Sequence, residues 1–194
     1  MKLQTTLIVA TLALGTTACA SKPVASPSIA PSVSISPNHI APNAAKAYRQ
    51  ALNRSLSDAQ SLGLTELWSD STETLVTVVV QDPKTGVCAQ SDLIMKETQL
   101  IDVEAMMPSV LIAELDGLES NSGSDVGSVT LSANGDIKVT NFMDDTHYTT
   151  TYTIDSSGRI ATATQFAEGE LSATASFDYH VTDEGKRALA EVSN

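Results

Sequence analysis

The sequence predicts an α+β domain: an antiparallel β-sheet with an N-terminal helix and short helices packed on one side. Three observations lead there. One early segment repeats apolar residues at spacings of three and four, which puts them on one helical face. The rest is mostly short β-branched runs separated by tight-turn residues, and the last run, 171–181, alternates apolar and polar along its length.

The first twenty residues are read apart from that domain. Met1-Lys2 starts them with positive charge, and the apolar run 7–14 is too short to span a bilayer and leads into small residues. That is the pattern of an export signal. Thr16-Thr17-Ala18-Cys19-Ala20 resembles a bacterial lipobox, in which the cysteine sulfur takes a diacylglycerol and becomes the new N-terminus; Cys19 is therefore the expected lipid-attachment site. Thr16 stands where lipoboxes carry an aliphatic residue, and Ala18 and Ala20 frame a second cleavage pattern. Both outcomes stay open at this point: a membrane anchor on the extracytoplasmic side, or secretion after cleavage at Ala20.

Residues 21–43 are rich in Ser, Pro and Ala, have no period, and are expected to be a disordered tether that reaches roughly 70 Å when stretched at about 3.1 Å per residue. The single α+β domain is expected over 44–194. Its first element is a helix over 44–62, with Tyr48, Leu52, Leu56, Ala59 and Leu62 on one face, Asn43 as its cap and Gly63 at its end. Residues 75–80 and 87–95 read as a hairpin around Asp82-Pro83-Lys84-Thr85-Gly86, and 99–104 as a weaker strand. A short helix over 108–118 carries Val110, Leu111, Leu115 and Leu118 on one side. After a Ser/Asn/Gly loop at 120–124 comes a meander: 126–132 and 136–142 flank Asn134-Gly135, 146–154 and 159–167 flank Asp155-Ser156-Ser157-Gly158, and 171–181 follows Glu168-Gly169-Glu170. Thr182 is placed to cap a closing helix over 182–192. About eight strands are legible in all.

Composition excludes some functions. All 23 acidic residues lie at or beyond Asp58, together with only six of the eleven basic ones, so the body is strongly acidic and lacks the basic clusters that bind nucleic acid. Lys22, Lys46, Arg49 and Arg54 make the other end basic, which suits anionic lipid headgroups. Whichever way the signal is cut, Cys88 has no intramolecular partner, so no disulfide holds the fold. Hydrolase, zinc and nucleotide motifs are absent, and none of His39, His147 and His180 has a partner that makes it a base. Asp144-Asp145-Thr146-His147 has metal-compatible side chains but reads as a hairpin loop. No enzyme, no metal and no cofactor is expected.

Met95, Met106 and Met107, with Leu111 and Leu115, form an apolar cluster suited either to an irregular apolar guest or to the core beneath a short helix. Tyr152-Thr153-Ile154-Asp155-Ser156-Ser157-Gly158-Arg159-Ile160, followed by Phe177-Asp178-Tyr179, resembles the corresponding strands of bacterial lipoprotein carriers of the LolA/LprG/LppX type. The resemblance covers about 44–194. It implies a curved sheet, a half-barrel, whose concave face, closed by helices, holds acyl chains of a lipid or glycolipid. On that reading Val78, Phe142, Tyr152, Phe166, Phe177 and Tyr179 join the methionine cluster in lining an elongated cavity. A ligand-free interaction module, docking on another envelope protein through an exposed sheet face or its acidic surface, is the alternative.

Overall fold

The computed structural model describes residues 39–120, 127–143 and 146–193. The export-like segment with Cys19, most of the expected tether, most of the 120–124 loop and Asp144-Asp145 lie outside the described residues. Among the described residues ten strands form one open sheet in the order β1-β6-β7-β8-β9-β10-β2-β3-β4-β5. Nine pair antiparallel: β2 (Leu64–Asp70), β3 (Val76–Gln81), β4 (Cys88–Asp92), β5 (Glu97–Ile101), β6 (Ser128–Leu131), β7 (Ile137–Met143), β8 (Thr146–Ile154), β9 (Ile160–Ala167) and β10 (Glu170–Asp178). The tenth, β1 (His39–Ile40), adds two residues parallel to β6, so the end of the segment expected as a tether is built into the sheet. The described residues also form the α-helices α1 (Pro42–Leu62), α2 (Met107–Ser120) and α3 (Asp183–Val192).

The meander follows the turn signals closely. What joins it to the first hairpin is β2, a strand the sequence does not announce. It pairs with β10 on one side and β3 on the other, in the middle of the sheet. Its inward residues are Leu64, Glu66 and Trp68, so a carboxylate interrupts the apolar alternation that marks a half-buried strand.

Strand parity assigns every side chain to one of two faces. The first face carries Leu64, Val79, Cys88, Ile137, Val139, Tyr152, Ala163, Ala175 and Phe177, and α1 and α2 pack with it into one core cluster. The second carries Val78, Val80 and Ala89, and there α3 packs through Ala188 and Leu189. Helices therefore lie on both sides of the sheet, not on one. The closing helix reaches the second face because Val181, expected to continue the inward alternation of β10, turns instead into the α3 cluster. Thr65 fixes the crossing: its hydroxyl donates to the His180 carbonyl (2.9 Å) and accepts from the Thr182 N–H (3.0 Å). Thr182 caps α3 as expected, accepting from the Gly185 N–H.

The buried stripe of α1 runs through Ala44, Tyr48, Leu52, Ser55 and Ala59, with Asp58 at its edge. Leu62, placed on the inner face by its spacing, is 51% exposed in the last turn. Ala41, and not Asn43, stands at the cap, without a side-chain bond, because Pro42 starts the helix two residues earlier than expected, where its missing N–H costs nothing. The alternation expected over 171–181 breaks at its start as well as at Val181. A register shift between Leu171 and Ala173 leaves Leu171 opposite Phe166 and 44% exposed, whereas Ala173 onward keeps the first face.

Four turns are built by aspartates that composition alone reads as solvated charge. Asp70, Asp82, Asp92 and Asp155 each accept backbone N–H groups of the turn that follows. Hydrogen bonds from the Thr74 and Thr72 hydroxyls hold the Asp70 carboxyl down at about 2.

Candidate functional site

Of the residues expected to line a cavity, Met106, Leu111, Leu115, Tyr152, Phe177 and Tyr179 do come together. They belong to the single cluster between α1, α2 and the first face, and none is more than 8% exposed. Met107 packs on the same cluster, half-buried. The remaining expected residues lie elsewhere. Val78 is fully buried on the second face, Phe142 and Phe166 are half-buried on that same face, and Met95 is 65% exposed at a hairpin tip. Period-2 parity separates them: Phe166 pairs with Thr149, whose neighbours Tyr148 and Thr150 face the helices.

Ring geometry shows how the cluster is filled. Tyr48 of α1 stacks on Tyr152 of β8, with centroids 5.3 Å apart, and Trp68 meets Phe177 edge-on at 6.1 Å. Burial pushes both tyrosine hydroxyls well above their ordinary range. The residues that carry the lipoprotein-carrier resemblance have a structural task at the end of this cluster. Asp155 receives the Arg159 guanidinium through Nε (2.8 Å) and Nη2 (2.7 Å); the same guanidinium reaches Asp58 of α1 (3.4 Å) and lies 4.3 Å over the Tyr179 ring. The Tyr179 hydroxyl donates to the Ile160 carbonyl (2.9 Å), and the Ile160 N–H donates to Ser55 of α1 (3.0 Å). Burial raises the Asp155 carboxyl, but hydrogen bonds from Arg159 and Ser157 outweigh it and leave it below the usual range. This network clamps α1 to the β8–β9 turn and the end of β10.

Under the start of α2 lies Glu66, 2% exposed. Its Oε1 accepts from the Met107 N–H at 2.8 Å and its Oε2 from the Trp68 indole N–H at 3.3 Å. Desolvation pushes this carboxyl up to about 7, against the downward pull of both bonds. Sequence reasoning missed it; the available signal was a lone acid between Leu64 and Trp68 at inward spacing. Close by on the same face, Cys88 is buried, and burial with Glu66 and Asp102 nearby pushes its thiol up to about 11. So high a value leaves almost no thiolate at neutral pH. Ellman's reagent at about pH 8 is accordingly expected to find no reactive thiol in the native domain and one full equivalent after denaturation; rapid native labelling would contradict the placement of Cys88.

Outside the cluster, two surface features stand out. An open groove of about 540 Å³ runs between Leu62, the Asp82–Lys84 turn and the Lys186–Leu189 side of α3. At the other end of the hairpin, Leu93, Ile94 and Met95 form the tip between β4 and β5, exposed by 38%, 55% and 65%. Asp92 Oδ1 accepts from the Ile94 and Met95 N–H groups (2.8 and 2.9 Å), and the Lys96 N–H closes on the Asp92 carbonyl, so these side chains are held out by an ordered turn. Beside them β5 ends the sheet, with Leu100 63% exposed. Among the described residues no group of three or more His, Cys, Asp or Glu is arranged to hold a metal, and no helix is long and apolar enough to cross a membrane.

The sequence matches no protein-family model and no curated protein.

Proposed function

We propose that this protein is an exported envelope lipoprotein, anchored through an acylated Cys19, whose folded domain is a ligand-free interaction module docking on another envelope protein. One observation carries the reading. The face under α1 and α2 carries a cluster of buried side chains, while an apolar tip held by a hydrogen-bonded turn, Leu93-Ile94-Met95, stands in solvent beside the open edge of β5. Three consecutive large apolar side chains held out by a structured turn lose free energy to water unless something covers them. An edge strand next to them offers unpaired backbone groups to a partner. The acidic composition of the body and the Ser/Pro/Ala-rich segment expected as a tether support long-range steering and reach.

The test places a photo-crosslinking amino acid at Ile94 or Leu100 in cells. A discrete protein adduct from these sites, lost in the Met95→Asp variant and absent from a probe at Ser156, is the expected result. Labelling no stronger than at Ser156 would overturn the docking role. Cys19→Ala should release the protein from the membrane fraction, and unchanged fractionation would overturn the anchor.

The carrier reading, with a curved half-barrel around a lipid, is favoured by one arrangement: Met106, Leu111 and Leu115 of the α2 region share one buried cluster with Tyr152, Phe177 and Tyr179. A guest there has to displace α2. Native mass spectrometry of protein extracted from membranes separates the two readings, since stoichiometric bound lipid belongs only to the carrier.

A further inference from the structure

Glu66 is out of place for a structural residue. It sits mid-strand in the centre of the sheet, faces the core, and among the described residues has no lysine or arginine beside it. Its partners are the Met107 N–H and the Trp68 indole. Met107 is the first residue of α2, and the first N–H groups of any helix lack intrahelical acceptors. α2 has no acid in its own first turn, so a carboxylate 41 residues earlier in the chain supplies the acceptor. The approach to that point is a single exposed 3-10 turn, Val103–Ala105, and an extended, fully buried Met106. The far end of α2 is held separately, by Arg49 of α1 on Asp116 and Glu119.

We propose that Glu66 is a proton-dependent latch on α2: protonated, it keeps the start of the helix seated on the sheet, and ionised, it favours lifting of that end and exposure of the apolar face beneath. The physical reason is the asymmetry of its surroundings. A lone carboxylate in an apolar core is costly when charged, and it is relieved either by a proton or by water. Water reaches it when the Met106–Met107 segment moves away. The seated state thus binds the proton more tightly than the lifted state, in which the acid is solvated. Its advantage is full below the ordinary glutamate range and is lost as pH rises through about 7.

Other groups around Glu66 do not share this titration. Cys88 of β4 and Tyr179 beyond β10 both act on it or are acted on by it, and burial keeps the thiol near 11 and the phenol near 12, so both stay neutral. Asp102 acts on Cys88, and the Arg159 charge over Tyr179 is matched by Asp155 and Asp58. On α2 itself the exposed Glu114, which acts on Tyr48 and Tyr152, serves as the control. The latch rests on neither the docking nor the carrier reading.

Hydrogen exchange of the purified protein from about pH 5.5 to about pH 8.5, expressed as protection relative to intrinsic rates, tests it. Peptides from the first half of α2 are expected to lose protection by roughly thirtyfold across that range while α1 does not. Glu66→Gln, a neutral mimic of the protonated acid, should flatten the profile, and Glu114→Gln should leave the fall in place. Protection of α2 that tracks α1 at every pH, a fall that survives Glu66→Gln, or one abolished by Glu114→Gln would overturn the latch. Should the Gln variant not fold, carboxyl carbon NMR of the wild type decides: a Glu66 midpoint near 7 supports the latch, and one near the ordinary 4.5 overturns it.

Discussion

Leu115→Ala is expected to destabilise the domain by about 2–5 kcal/mol, read as a shift of the denaturant midpoint without a change of slope. For a domain of this size that corresponds to a drop in Tm of roughly 5–15 °C. Leu115 is completely buried in the cluster formed by α1, α2 and the first face of the sheet. Removing its isobutyl group loses both the transfer free energy of the buried atoms and the dispersion contacts of the lining, because the rigid strands below cannot collapse into the gap. The magnitude also bears on function. A side chain that lines an existing empty cavity has fewer contacts to lose, so a loss under about 1 kcal/mol would show that the space beneath α2 is open and would favour the carrier.

Gly63→Ala is the second large effect, on the order of 3 kcal/mol. Gly63 ends α1 and turns the chain into β2 with φ +87° and ψ 168°, a region that only glycine enters without strain. Space is lacking as well. A Cβ there would stand 2.9 Å from Pro83 Cδ and 3.1 Å from the Gln81 carbonyl oxygen, so relief of the strain by rotation meets the β3–β4 turn. Thermal unfolding of the variant should show a Tm roughly 6–12 °C lower, with the far-UV spectrum of the remaining native state unchanged. A variant as stable as the wild type would mean that this junction is looser than its geometry indicates. Gly135, with φ +92° and open space for 4 Å around the point where a Cβ would stand, should feel only the backbone strain and lose less.

Much of the fold was legible because most of its signals are local. Strand β8 occupies 146–154 as expected, Thr182 caps α3, Gly63 ends α1, and α2 buries Val110, Leu111 and Leu115. Each depends on a turn residue, a cap or a period that the chain carries within a few positions. The errors share a cause. Glu66 in an inward position hid β2, a one-residue register shift moved Leu171, and parity placed Val78 and Phe166 on the face away from Tyr152 and Phe177. In each case a long-range neighbour decided what the local pattern left open.

The amino-acid order by itself determined the class of this domain, its meander, the end of α1 at Gly63 and the cap of α3 at Thr182, since those follow from φ preference and side-chain period. Only the tertiary structure decided that β2 bridges the two halves of the sheet, that α3 covers the face opposite α1 and α2, and that Glu66 lies buried beneath a helix 41 residues further along. The reason is that burial is a property of the assembled surface. A carboxylate or a valine carries no mark of what will cover it until distant strands have paired and the helices have found the faces left to them.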